Sequence, residues 1–540
     1  MTRTFDYVIV GAGSAGCVLA ARLSEDPTTK VLLLEAGPPD RSPWIHLPIG
    51  YGKTMWSPRY NWCFHTDPDP NMNGRRIYWP RGKTLGGSSA INGLIYIRGQ
   101  QQDYDDWANL GNPGWSYADV LPYFIRAESN QRGADPWHGD SGPLKVSDIR
   151  DRHELIEAFI EGAGQIGVPR TDDFNGAEQE GAGYYQLTTF KGLRSSTATA
   201  YLRPVRGRSN LTVVCNAHAT GLVIEGGRAR GVRYLHRGRQ DVAAADAEVL
   251  LCAGAIQSPQ LLQLSGVGPA ALLQKCGVPV LHDSPGVGEN LQDHLQVRLG
   301  YECTKPITTN DQLNSWTGKI GMGLQWLLSR QGPLAIGINQ GGCFMRTLPS
   351  SATPDIQFHV ATLSADMAGA RVHAWSGFTL SICQLRPESR GHIRIRSADP
   401  AALPEMQPNY LSTALDRQNV VAGMKAARAI AASPALSAYV KREVKPGPGA
   451  VDDASLLQFA RDNGATIFHP SGTCKMGPGT DPMAVLDERL RVRGVQALRV
   501  VDCSVMPTLV SGNTNAPVIM MAEKAADMIR ADAGAVSAPG

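Results

Sequence analysis

The stretch Tyr7 to Leu23, YVIVGAGSAGCVLAARL, constrains this chain more than any other. Tyr7 to Val10 read as a buried strand, Gly11, Gly13 and Gly16 follow with the spacing G-x-G-x-x-G, and small apolar residues then continue as a helix. Each glycine answers a different steric demand. The first allows a tight turn, the second lets a pyrophosphate approach the backbone, and the third lets the helix lie close to the sheet. Phosphate would sit at the N-terminal dipole of that helix, beside Ser14 and Ala15. The next apolar run, VLLLEAG, reaches Glu35 and Ala36, and Glu35 stands 19 residues beyond Gly16, where a carboxylate can accept hydrogen bonds from ribose hydroxyls. Together these predict an α/β, Rossmann-like dinucleotide-binding unit; they do not separate FAD from NAD.

A chain of 540 residues is too long for that unit alone, which predicts a second domain or a large insertion. Charged residues make up 19% and the net charge is +3, so neither a nucleic-acid surface nor an acidic tail is expected. The ten cysteines are scattered without C-x-x-C pairs or zinc spacing, which predicts free thiols and no metal. The N-terminus enters a strand almost at once, without the segments of a secretory signal, and the longest uncharged runs are broken by Pro, Gln, Asn and Gly. The expectation is a cytoplasmic protein, with room for peripheral contact with a membrane. The tail AGAVSAPG reads as disordered.

Four later segments carry chemistry. RGKTLGGSSAINGLIYIRGQQQDYD, Arg81 to Asp105, is a second glycine-serine loop too distant to share the first turn. EVLLCAGAIQSPQLLQLSGVGP reads as strand, turn and helix, with Ser258 as N-cap and Pro259 at the first helical position. LRVVDCSVMPTLVSGNTNAPVIMMAEKAADMIR supplies a strand, Asp502, a loop holding Asn513, and a helix started by Pro517. In ATIFHPSGTCKMG, His469 precedes a proline, which pushes it into an extended conformation ahead of a Ser471-Gly472-Thr473 turn. An imidazole so held suits proton transfer near neutral pH.

These segments, with VGENLQDH at Val287 to His294, resemble the signatures of the glucose/methanol/choline (GMC) flavin oxidoreductases along essentially the whole chain, most closely the bacterial choline and alkanol dehydrogenase branch. The resemblance implies an FAD domain built from residues 1–150, 205–300 and 461–540. It also implies an inserted α+β substrate domain, an antiparallel sheet with helices, from 151–204 and 301–460. Cofactor contacts are implied at Gly87, Ser88, Asn92, Gly93, Ile95, Ala219, Asp502 and Cys503. His469 and Asn513 occupy the positions of the residues that face the flavin, the first as base and the second as donor to the developing alkoxide. The helix near Pro517 is implied to point its N-terminus at the flavin and ease its reduction.

Two positions depart from relatives. Where some carry a histidine that bonds covalently to FAD this chain has Ile91, which predicts non-covalent FAD. Where choline-oxidising relatives carry a glutamate the best match is Gln340, which is neutral and would leave a quaternary cation without a counter-charge. Trp326, Phe344 and Phe358 are candidates for an aromatic cage, and GLQWLLSRQGPLAIG for an apolar pocket wall. The reading is oxidation of an uncharged aliphatic or aromatic primary alcohol, with O2, quinone or another carrier as electron acceptor; choline oxidation and a hydroxynitrile-type lyase are the alternatives.

Overall fold

A computed structural model describes residues 3–367 and 369–537, and the chain folds around two large sheets. The first strand runs Arg3–Val10, with Tyr7 to Val10 buried. It lies between Val31–Glu35 and Arg239–Leu251, parallel to both, and Val31–Glu35 pairs in parallel with Leu211–Cys215. Parallel strands covered on both faces read as unbroken apolar runs, which is why VLLLE shows no alternation and is buried at all five positions. Arg239–Leu251 also pairs antiparallel with Arg228–His236, which leads to Ala217–Glu225, and takes Leu498–Val500 in parallel at its far end. One sheet therefore joins the beginning, middle and end of the chain.

The second sheet is antiparallel, in the order Val440–Lys445, Leu295–Cys303, Gly377–Gln384, Ile356–Ala361, Asn339–Met345, Gly181–Tyr184, with Ala465–Thr466 beside the start of Leu295–Cys303. The helices Glu154–Gln165 and Ala414–Ala431 pack on it, and Ile156, Phe159, Val420 and Met424 join Ile356, Phe358, Leu380 and Ile382 in its core. Its strands come from residues 151–204 and 301–460, except that Leu295–Cys303 begins before residue 301 and Ala465–Thr466 lies in the C-terminal stretch.

Two helix starts differ from the sequence expectation. The helix expected at Ser258 spans Gly254–Leu264, so Pro259 is interior. Proline there leaves the Ala255 carbonyl without its i+4 donor, and the Thr473 hydroxyl fills the vacancy at 2.6 Å. Ser258 is not a cap: its Oγ accepts the Ala253 N–H and donates to Asp502. The C-terminal helix spans Asn515–Ser537, starting two residues before Pro517, whose missing N–H falls in the first turn where no donor is needed. It carries the tail stretch in helical form through Ser537, against the expectation of disorder; the last three residues lie outside the described residues.

All ten cysteines are free thiols. Among the described residues no helix is long and apolar enough to cross a membrane.

Candidate active site

The first two glycine-rich loops meet each other. The Gly86 N–H donates to the Ala12 carbonyl at 2.8 Å, and a Cβ on Gly87, where φ is +51°, would stand 2.7 Å from Gly13 Cα. The second loop is thus glycine-rich partly because the first lies against it. Gly16 belongs to the same packing, since a Cβ there would lie 1.9 Å from the Gly11 carbonyl oxygen. Gly93 and Gly254 instead face open space, and Gly13 meets nothing nearer than 3.9 Å. These three border a cavity of about 2030 Å³, a volume that takes in solvent at its open mouth, with walls from both sheets.

Every catalytic or cofactor residue expected from the sequence lines this cavity except Gly16, and the substrate-side candidate Gln340 does not. Gln340 is the extra residue of a bulge: Asn339 pairs with Ala361 and Gly341 with the adjacent Val360. Its amide turns away to the Thr362 hydroxyl at 3.1 Å, and Asn339 lines the cavity in its place. The expected aromatic cage does not assemble. Phe344 and Phe358 are buried in separate core clusters, and Trp326 donates its indole N–H to the Gly192 carbonyl. The helix within GLQWLLSRQGPLAIG contributes no residue to the cavity.

Two buried carboxylates are the only acidic groups among the lining residues. Glu35 accepts the N–H groups of Ala12 and Gly37 at 3.0 and 2.8 Å, and burial pushes its carboxyl up to about 7. Asp502 accepts from the Gly254 N–H, the Ser258 hydroxyl and the Ser504 N–H, and burial raises it as well. Asn92 is held by Arg194, a buried guanidinium that donates to its side-chain and backbone oxygens at 2.6 and 2.8 Å.

His469 is fixed by the VGENLQDH segment. Asp293 accepts its backbone N–H at 2.8 Å and the Tyr410 hydroxyl, and the Gln292 and Ser471 backbones bridge the same two stretches. Its ring nitrogen Nδ1 lies 2.9 Å from Nδ1 of His294, whose Nε2 lies 2.9 Å from the Leu385 carbonyl. A carbonyl only accepts, so His294 carries its proton on Nε2. Burial pulls His294 down to about 4, so it is neutral at pH 7 and its Nδ1 must accept. His469 therefore donates from Nδ1. Burial, then the neighbouring His294, His359 and Arg81, hold His469 well below its usual range, so it too is neutral and presents a lone pair on Nε2. That nitrogen lies 3.3 Å from Asn513 Nδ2, while Asn513 Oδ1 accepts from Gln357 Nε2 at 3.3 Å.

His294, His359, Gln357, Arg81 and Arg298 were not singled out from the sequence. Two had a signal, Arg81 at the head of RGKTLGGSSAING and His294 at the end of VGENLQDH; no local motif surrounds the other three. The buried Nε2 of His359 has no partner among the described residues, and His359 lines the cavity. Arg298 lines it too, pairs with no carboxylate among the described residues, and donates from Nε to Gln296. Arg81 reaches the Phe468 carbonyl at 2.6 Å. The wall around His469 is cationic and amide-rich.

Residues 5–296 and 387–522 match the N- and C-terminal sequence profiles of the GMC oxidoreductases. The chain belongs to the GMC oxidoreductase family. It is 47% identical to the oxygen-dependent choline dehydrogenase of Ectopseudomonas mendocina, over 98% of this chain and 94% of that one. It is 44% identical to the alcohol dehydrogenase [acceptor] of Pseudomonas putida, over 97% and 95%. Pyridoxine 4-oxidase from Mesorbium loti superposes with a TM-score of 0.88 at 33% identity, covering 98% and 99%. GMC oxidoreductases are flavoproteins that use FAD. The residues present fit FAD: the backbone at Gly13, Gly93 and Gly254 leaves space where any side chain would intrude, and the buried Glu35 and Asp502 need polar surroundings.

Proposed function

We propose that this GMC oxidoreductase oxidises an uncharged primary alcohol to the aldehyde, with FAD held non-covalently. One observation carries the reading: a neutral, oriented imidazole presents its Nε2 lone pair beside the Asn513 amide, in a cavity wall with guanidinium groups, while the Asp293 carboxylate lies behind it on the His469 backbone N–H and does not line the cavity. FAD, when bound, supplies the hydride acceptor. His469 Nε2 takes the hydroxyl proton. Asn513 Nδ2 donates to the oxygen as its charge grows, and Gln357 keeps that amide from rotating. Arg81 and Arg298 favour an alkoxide electrostatically and oppose a fixed cation. Choline would have to shed water beside them, with the nearest lining carboxylates, Glu35 and Asp502, already engaged by backbone and hydroxyl donors. Ile91 at the cavity wall offers FAD no nucleophile, which supports a flavin that acid precipitation releases whole. Kinship with an acceptor-type alcohol dehydrogenase supports a dehydrogenase that passes electrons to a quinone or similar carrier.

The test is anaerobic flavin absorbance during titration with aliphatic alcohols, aryl alcohols and choline, followed by air. Bleaching by neutral alcohols alone, with slow recolouring, is the expected result. Bleaching by choline at comparable concentration overturns the electrostatic argument, and fast recolouring makes the protein an oxidase. No bleaching by any alcohol removes the alcohol reading and brings the lyase forward.

A further inference from the structure

The Trp316–Ser329 helix is turned the wrong way for a packed element. Amphipathic helices of globular proteins bury their apolar stripe, yet here Trp316, Ile320, Leu324, Leu327 and Leu328, which share one face, are all more than half exposed, with Leu328 at 86%. Met322 is the helix's buried residue. Single exposed leucines need no explanation, but a stripe of this length does.

Neighbouring segments extend it. The Trp326 indole N–H donates to the Gly192 carbonyl at 2.9 Å, which brings the turn bearing exposed Phe190 and Leu193 to the end of the helix. The strand after that turn packs on Pro43–His46, which carries exposed Trp44. Cations sit on these aromatic rings: Lys319 on Trp316, Arg330 on Trp326, Lys191 on Phe190 and Lys53 on Trp44, the last at 3.6 Å. Residues 41–66, 187–195 and 315–338 contain no aspartate or glutamate. Asp151 meets the turn that follows the helix and is engaged there by the Gly332 N–H.

We propose that this face docks on an anionic phospholipid bilayer. Leucine and isoleucine side chains would enter the acyl boundary, tryptophans would lie at the headgroups, and the lysine and arginine heads would reach the phosphates. A second copy of the chain fits worse, because a two-fold interface would set this carboxylate-free set of cations against itself. Docking would also place the cavity beside the lipid, since Tyr51 and Met55, which line it, flank Lys53 and follow closely on the helix carrying Trp44. The proposal concerns the surface and stands whichever alcohol is oxidised.

It is tested by sedimenting the FAD-loaded protein with vesicles of phosphatidylcholine alone or mixed with phosphatidylglycerol. Binding to the mixed vesicles, weakened by salt and absent with phosphatidylcholine alone, is expected. The double variant Leu324→Glu/Leu328→Glu should stay in the supernatant with unchanged flavin absorbance and melting temperature. Lys319→Ala/Arg330→Ala should bind at least about tenfold more weakly. Failure of the wild type to bind, or equal binding by the leucine variant, overturns the proposal. So does a wild type that ignores vesicles and elutes as a dimer which the leucine variant converts to monomer, because that makes the face a self-association surface.

Discussion

At the scale of single residues, the tautomer of His469 is decided by neighbours far away in sequence. The Leu385 carbonyl sets the tautomer of His294, and His294 sets that of His469, so a backbone oxygen 84 residues upstream leaves Nε2 unprotonated, facing the Asn513 amide. His469→Ala should lower the rate of flavin reduction by about 10²–10⁴ while the bound-flavin spectrum persists; rapid-mixing absorbance measures both. His294→Leu removes the acceptor for the Nδ1 proton, and reduction should slow with FAD still bound. The pH dependence has a definite sign. The folded-state pKa of His469 lies below the ordinary 6.5, so the base form survives as the pH falls through that value. Flavin reduction at limiting substrate should hold through pH 6.5 and decline only in more acidic buffer; a decline centred at or above 6.5 contradicts the burial argument.

Elements explain which glycines were legible. G-x-G-x-x-G announces a turn from spacing alone, but its three glycines do different work. Gly16→Ala would drive a Cβ into the Gly11 carbonyl at 1.9 Å and should give insoluble or poorly folded protein. Gly13→Ala meets no protein atom nearer than 3.9 Å, so the variant should fold, melt cooperatively and retain less FAD. Far-UV circular dichroism with the flavin-to-protein absorbance ratio separates the two outcomes. Gly87 could be seen as part of a loop, but its reason, contact with Gly13, could not. The misplaced helix start at Ser258 has the same origin: local rules assign Ser-Pro to a cap, and the distant partners Thr473 and Asp502 override them.

For the whole molecule, the closure of the FAD-side unit depends on one buried acid. Glu523 on the C-terminal helix accepts from Arg22 at 2.8 Å and the Tyr201 hydroxyl at 2.9 Å and forms an ion pair with Arg126 at 2.9 Å, which ties the last helix to the first. Removing one partner from such a network strands the remaining charges. Glu523→Ala should cost about 3 kcal/mol and lower the melting temperature, and a melting temperature equal to that of the wild type would show that the helix is held by its apolar face alone.

The sequence by itself determined that a dinucleotide unit forms at its start, because turns, strands and glycine spacings are local and leave local marks; only resemblance to a family gave His469 and Asn513 their expected places and scattered the rest of the unit along the chain. The tertiary structure alone decided the rest. A bulge one residue long turned Gln340 out of the cavity and Asn339 into it. Arg298, His359 and Gln357 reached the site on strands of the second sheet, where the period-two pattern says which face a residue takes but not what lies opposite. The stretch read as a pocket wall became an exposed apolar face, since an amphipathic helix tells which of its sides is apolar and leaves to the fold whether that side meets protein or something outside it.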